Sequence, residues 1–248
     1  MKRFFVLLLA ILLVVGFLLK DEWLGENNIS QNTGFVQDQR EYGSSDGLAE
    51  SEQYKMISCP EITILANKTL QAEINEINRM LTDAVVQDEN MENAIETESH
   101  EEIPRGPDND FLGVYCETTR NDNVVFSQKV NQTTYGAGAV HSNNSVETMN
   151  YSVKTGEELN LDDLFEPNSD GKITLTRLVV AKLKTDLGEV LNKEIAETQE
   201  GEELEFDLFL VESDGLRILF NQYAIAPSSA GIVEVKLSRD ELGSSYLY

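Results

Sequence analysis

Residues Tyr135 to Phe165 read YGAGAVHSNNSVETMNYSVKTGEELNLDDLF, and the rest of the chain is read outward from them. The Gly/Ala segment Gly136–Ala139 leads to His141, one of two histidines in 248 residues, and then to Asn143 and Asn144. Ser145 to Val153 alternates, and period-2 spacing sends successive side chains to opposite faces of a strand. Lys154-Thr155-Gly156-Glu157 follows as a turn, with Gly156 free to take positive φ. Leu159 and Leu161 then return to a core, and Asp162-Asp163-Leu164-Phe165 forms a short helical turn.

Upstream, Phe111–Thr119 and Val124–Thr134 read as strands joined by Arg120-Asn121-Asp122-Asn123, residues that tolerate a tight turn. Leu112, Val114 and Cys116 share one face of the first. With the Ser145–Val153 strand they make an antiparallel meander. Ile57–Leu65 is expected as a further strand, with Pro60 suited to an edge or bulge. Asn67 is the expected cap of a helix whose apolar stripe is Leu70, Ile74, Ile77, Leu81 and Val85. Gln87–Asp110 is acidic, carries Pro104, Gly106 and Pro107, and reads as a long surface loop.

Downstream, Glu166–Gly171 has the alternating Glu166, Asn168 and Asp170 of half a calcium loop. Arg177 stands where a bidentate glutamate is needed, so the segment reads as a turn capping a helix. That helix is expected from Lys172 to Thr198. Leu204–Val211 and Gly215–Phe220 form a hairpin, Ile232–Leu237 a last strand, and Ser238–Leu242 a terminal helical turn. Helices grouped against antiparallel hairpins give an α+β fold of sheet meanders packed on two main helices, preceded by an N-terminal transmembrane or signal segment. The domains read as 1–20 signal anchor or signal peptide, 21–55 polar tether, 56–242 folded domain with a subdivision near residue 155, and 243–248 tail.

At the N-terminus Met1-Lys2-Arg3 is followed by an unbroken apolar run, Phe4–Leu19, and then Lys20-Asp21-Glu22, with Trp23 placed for a membrane interface. No small-x-small cleavage site precedes the charges, which favours a single-pass anchor with the domain outside; a secreted, cleaved form is the alternative. No cysteine follows the run for a lipid anchor. The polar stretch after Asp21 has too little apolar surface to offset its ordering entropy. As a random coil, its roughly 33 residues would hold the domain on the order of 30 Å from the membrane.

Composition excludes one class of partner. With 44 acidic and 19 basic residues the net charge is -25, a field that repels nucleic-acid phosphates; it is either a solvated acidic surface that aids solubility or an attractor of cationic proteins. Two cysteines, Cys59 and Cys116, in an exported chain pair as a disulfide or lie as two buried thiols. Two Cys and two His are too few for a zinc site, and His100 among Glu98, Glu101 and Glu102 reads as an exposed loop histidine. No Gly-x-Ser-x-Gly elbow or phosphate-cradling glycine loop is present, so no cofactor and no nucleophile is expected. His141 is either a ligand-contacting imidazole on a Gly/Ala loop or a structural histidine bonded to its strand. Tyr223 divides the same way. Asn143 and Tyr151 complete the candidate ligand-binding set.

The order of these motifs resembles a known family. Gly/Ala then His141, Asn150-Tyr151 with Thr155-Gly156, and Asp163-Leu164-Phe165 are similar to the extracytoplasmic domain shared by the anti-sigma factor RsiV and the deacetylase PdaC. A second block, Gly215–Phe220 followed by Tyr223-Ala224-Ile225-Ala226-Pro227 and Gly231, matches that family's C-terminal signature. The resemblance runs from about Met56 to Leu242, with one departure: Val140 intervenes between Ala139 and His141. It implies a non-catalytic envelope-binding module for a cationic protein such as lysozyme, or for cell-wall glycan. Only Met1-Lys2-Arg3 precede the apolar run, so no sigma-factor-holding segment is expected, and the 248 residues leave no room for a deacetylase domain beside the module. A carboxylate-dependent cell-wall hydrolase assisted by His141 is the alternative.

Overall fold

A computed structural model of the chain describes residues 53–64, 66–86, 93–96, 110–136, 139–199 and 201–248. The expected anchor, Trp23, most of the tether, Val85's side chain and the acidic segment with His100 lie outside the described residues. Among those described, no helix is long and apolar enough to cross a membrane.

The fold is α+β, with five- and three-stranded sheets. The first sheet contains β1 (Gln53–Ser58), β2 (Asn93–Glu96), β3 (Asp110–Asn121), β4 (Val125–Tyr135) and β5 (Asn143–Ser152), in the order β2-β1-β3-β4-β5. The alternating stretches become the β3-β4-β5 meander as expected, with a bulge between Thr118 and Arg120. The remainder of this sheet corrects the sequence reading. β1 pairs parallel with both β2 and β3, and β2 lies inside the stretch expected to be loop. A parallel partner is recruited across a crossover helix, so no local turn signal marks it. The strand expected over Ile57–Leu65 is instead β1, which starts at Gln53 and stops at Ser58.

The crossover is α1 (Lys68–Val86). Asn67 caps it as expected: its Oδ1 accepts from the Leu70 backbone N–H at 3.0 Å. Leu70 and Ile74 are buried, and the next position on that face is Asn78, only 1% exposed. Burial there is tolerated because Asn78 donates to Pro60 O at 2.9 Å and accepts from Gln128 Nε2 at 2.8 Å. Ahead of α1, Cys59 is disulfide-bonded to Cys116 across a Cα–Cα distance of 4.7 Å, which joins the end of β1 to the middle of β3.

After β5 the turn closes with Gly156 at φ 74°, and Leu161–Leu164 forms the expected 3-10 turn. The helix expected to reach Thr198 ends early. α2 spans Gly171–Leu187, and Gly188 at φ 54° sends the chain into a 3-10 turn (Gly188–Val190) and short α3 (Lys193–Ala196). Glycine stops the helix because it takes a left-handed φ without steric cost.

The second sheet, β6 (Phe209–Val211), β7 (Gly215–Phe220) and β8 (Val233–Ser238), precedes α4 (Arg239–Leu242). Leu175, Val179 and Leu183 of α2 are fully buried in one cluster with Val211, Ile218, Val235 and Leu237. Each such side chain contributes roughly 1.5–3 kcal/mol relative to exposure. The opposite face of the sheet brings Leu210 and Leu219 to Val146 of β5. Four layers result: α1, the five-stranded sheet, the three-stranded sheet and α2.

Leu204–Val211 was expected to be one strand; only Phe209–Val211 is. Its outer edge is turned onto the first sheet and is satisfied by side chains. Asn150 Nδ2 donates to Phe209 O at 2.7 Å, and Val211 N donates to Asn150 Oδ1 at 3.1 Å. The Ser127 hydroxyl lies 3.0 Å from Val211 O and 2.8 Å from Asn150 Oδ1. Beside them Lys129 Nζ sits 3.1 Å from both Glu117 and Glu234, and Arg217 pairs with Glu234 at 3.0 Å and with Glu212. The seam between the sheets is therefore partly polar, and its buried cations are paired.

Candidate functional site

Beyond β4, Ala139 N donates to Gly136 O at 2.9 Å and Tyr135 OH donates to Ala139 O at 2.6 Å. Next come Val140, which is 97% exposed, and His141, also exposed. The inserted residue is thus accommodated on the surface. His141 Nδ1 lies 3.2 Å from Ser142 O. A carbonyl only accepts, so Nδ1 carries the proton in this contact and Nε2 is left as an acceptor.

Tyr223 supplies the matching donor. Its hydroxyl is 3.3 Å from His141 Nε2, with ring centroids 6.4 Å apart and planes tilted by 46°. Tyr223 lies in the β7–β8 connection, 82 residues from His141, and is 56% exposed. Its backbone φ is 70°. Ala224 N donates to Asn221 O at 3.0 Å, which makes Asn221–Ala224 a four-residue turn with Tyr223 at the third position. That position with positive φ suits glycine or asparagine. A bulky residue there costs about 1–2 kcal/mol, and little burial offsets it.

Of the four candidate ligand-binding residues, the structure brings His141 and Tyr223 into contact and places Asn143, exposed, two residues along at the start of β5. Tyr151 does not join them. It is 6% exposed near the far end of β5, opposite Phe126, where alternation carries it into the core. Its place in the candidate set is withdrawn.

Sequence reading did not single out the residues that join the two parts of the site. Asn221 Oδ1 accepts from Val146 N at 2.6 Å, and its Nδ2 donates to Val146 O at 3.2 Å. Gln222 Oε1 accepts from Asn144 N at 2.8 Å, and its Nε2 donates to Ser228 O at 3.2 Å. Asn144 is itself held by Thr133, whose hydroxyl donates to Asn144 Oδ1 at 2.8 Å. The available signal was an asparagine directly after a strand, a residue that starts turns. Glu147, next on β5, faces the α1 side with Val130 opposite, and burial pushes its carboxyl above the usual carboxylate range. Among the described residues no group of three His, Cys, Asp or Glu is arranged to hold a metal ion.

Residues 162–240 match the model of a family described as a protein of unknown function, DUF3298. The chain carries a DUF3298 domain match. The matched segment includes α2, the second sheet and Tyr223 but begins after His141, so the contact pair spans its boundary. A crystal structure of a DUF3298 family member from Bacteroides fragilis NCTC 9343 is 18% identical over 73% of this chain and 65% of that one, with a TM-score of 0.44. A DUF3298 family protein from Pseudomonas aeruginosa PAO1 is 14% identical over 54% of this chain and 60% of that one, at 0.41. The chain thus spans less than two thirds of the length of either solved relative. No curated protein matches the chain.

Proposed function

We propose that this chain is a non-catalytic recognition module of the RsiV/PdaC-like kind, acting outside the membrane through a surface centred on His141 and Tyr223. The observation that carries the reading is Tyr223: an exposed aromatic held at φ 70°, whose ring meets His141 instead of a core. Backbone strain of this kind persists where the surrounding structure enforces it, and it concentrates at ligand clamps and active sites. The imidazole geometry favours binding over catalysis. One ring nitrogen faces the Ser142 carbonyl and the other faces the Tyr223 phenol, so both are engaged within the protein and the pair presents its ring faces to a partner.

The partner we propose is a cationic envelope protein such as lysozyme. A net charge of -25 accelerates encounter with such a protein, while screening limits the field to about 8 Å at physiological ionic strength. Affinity must then come from short-range contacts, which Val140, His141 and Tyr223 are exposed to make. Phe4–Leu19 would hold the module at the membrane with its domain outside. A cell-wall glycan is the second reading, favoured by an open tyrosine ring with the Asn143 amide nearby.

Calorimetric titration of the disulfide-bonded chain with lysozyme, with wall glycan fragments, and with an unrelated protein of equal positive charge tests this. Lysozyme should bind more tightly than the charge-matched protein, and His141→Ala should weaken it at low and high salt alike. Equal binding of both proteins, or no effect of His141→Ala, ends the lysozyme reading. Saturable binding of glycan alone selects the second, and release of sugar from the fragments overturns the non-catalytic assignment.

A further inference from the structure

The exposed end of β5 is bordered by the side-chain amides of Asn221 and Gln222. Asn221 pairs with both backbone groups of Val146, at 2.6 and 3.2 Å, as a neighbouring strand's peptide group would. Gln222 bridges Asn144 N and Ser228 O, at 2.8 and 3.2 Å. These are the two residues immediately before Tyr223, and Asn221 also supplies the carbonyl that closes its turn. The side chains fix the turn to β5 from outside, and the turn fixes the φ of Tyr223. His141 belongs to the other partner, two residues ahead of β5. Neither half makes the pair unaided, because β5 is part of the five-stranded sheet and the turn leaves β7 of the three-stranded sheet.

We propose that Asn221 and Gln222 are positioning residues: a latch across the two sheets that holds Tyr223 against His141 and so assembles the site. Its bearing on ligand affinity rests on the recognition surface proposed above, but the latch itself is measurable without a ligand. The Nδ1–H tautomer of His141, with Nε2 accepting from Tyr223, is the form that a free imidazole disfavours. It is visible in the ring nitrogen shifts of the chain, whose only other histidine is His100.

Nitrogen-15 NMR of the full disulfide-bonded chain, with His141→Gln used for assignment, should show His141 in the Nδ1–H form. Asn221→Ala and Gln222→Ala should each shift the ring toward Nε2–H and remove the Tyr223–His141 proton contact, with the amide spectrum of β3 and α2 unchanged. Gln222→Glu, which keeps an acceptor for Asn144 N, should retain the tautomer that Gln222→Ala loses. Affinity for lysozyme should fall at least tenfold in the two alanine variants. A wild-type ring already in the Nε2–H form, an unchanged tautomer in both alanine variants, or equal loss in Gln222→Glu and Gln222→Ala overturns the latch. Should Asn221→Ala fail to fold, the Gln222 pair decides by the same readout. Should the wild type bind nothing, the functional reading falls and the tautomer still decides the latch.

Discussion

Within the five-stranded sheet, the two flanks of the β3-β4 pair are secured by different chemistry. At β1, the Cys59–Cys116 disulfide fastens the strand covalently to β3. At β5, amide side chains stand in for a missing strand: Asn150 toward β6, and Asn221 and Gln222 toward the exposed end. A covalent staple acts mainly by restricting the unfolded chain, so it is indifferent to water at the native strand. An amide seal acts in the native state, and its worth grows as water is excluded from the groups it satisfies. Asn150, 3% exposed, therefore anchors the fold, whereas the partly exposed Asn221 and Gln222 seal an edge beside an open surface.

Breaking the covalent flank should cost most. Cysteines separated by 57 positions close a loop worth about 4 kcal/mol in the chain-entropy model, so Cys59→Ser with Cys116→Ser should lower the unfolding free energy by about that much. Urea unfolding with and without reductant measures it, and wild-type stability unaffected by reductant would contradict it. Asn150→Leu comes next. It leaves the backbone of Phe209 and Val211 without the Asn150 partner in a dry seam, at about 1–3 kcal/mol for each stranded group, so a loss of about 3 kcal/mol is expected. If the flanks are independent, combining both changes should be additive to within about 0.5 kcal/mol; a larger coupling energy would mean they are one unit.

At the exposed end the sign reverses. Tyr223→Gly relieves the left-handed φ and should stabilise the fold by about 1 kcal/mol while weakening ligand binding. A destabilised Tyr223→Gly protein would show that the ring is structural. An effect confined to alkaline pH lies away from both flanks. Tyr246 is buried and its hydroxyl donates to Gly215 O at 3.0 Å; burial pushes this phenol up to about 12. The folded state thus prefers the protonated form. Its stabilisation is complete below the ordinary tyrosine value near 10 and is lost as pH rises from there through about 12. Burial also raises the Tyr248 phenol, so phenolate absorbance should show a late-titrating component that shrinks, without vanishing, in Tyr246→Phe, and stability falling over that same window.

The parts legible in the sequence depend on near neighbours. The β3-β4-β5 alternation, the Asn67 cap, the turn at Gly156 and the terminal helical turn are set by local sterics and hydrogen bonds, and each appears where its residues put it. An even cysteine count left Cys59 and Cys116 open between a disulfide and two buried thiols, and only the folded geometry selects the bond. Parallel β1, with β2 inside an acidic stretch, was not legible, because a crossover pairing is chosen by the completed sheet. Nor could local pattern show that only Phe209–Val211 of a longer apolar segment would be strand, since its partners there are Asn150 and Ser127 on another sheet. The candidate site divides along the same line. His141 and Tyr223 are nameable from their residue types, whereas strand alternation carries Tyr151 to the buried face beside Phe126. The contact between His141 and Tyr223, 82 positions apart, and the strained turn that makes it were decided by tertiary structure alone. A left-handed tyrosine is locally unfavourable, so no propensity predicts it; Asn221 and Gln222 impose it only once the two sheets have docked.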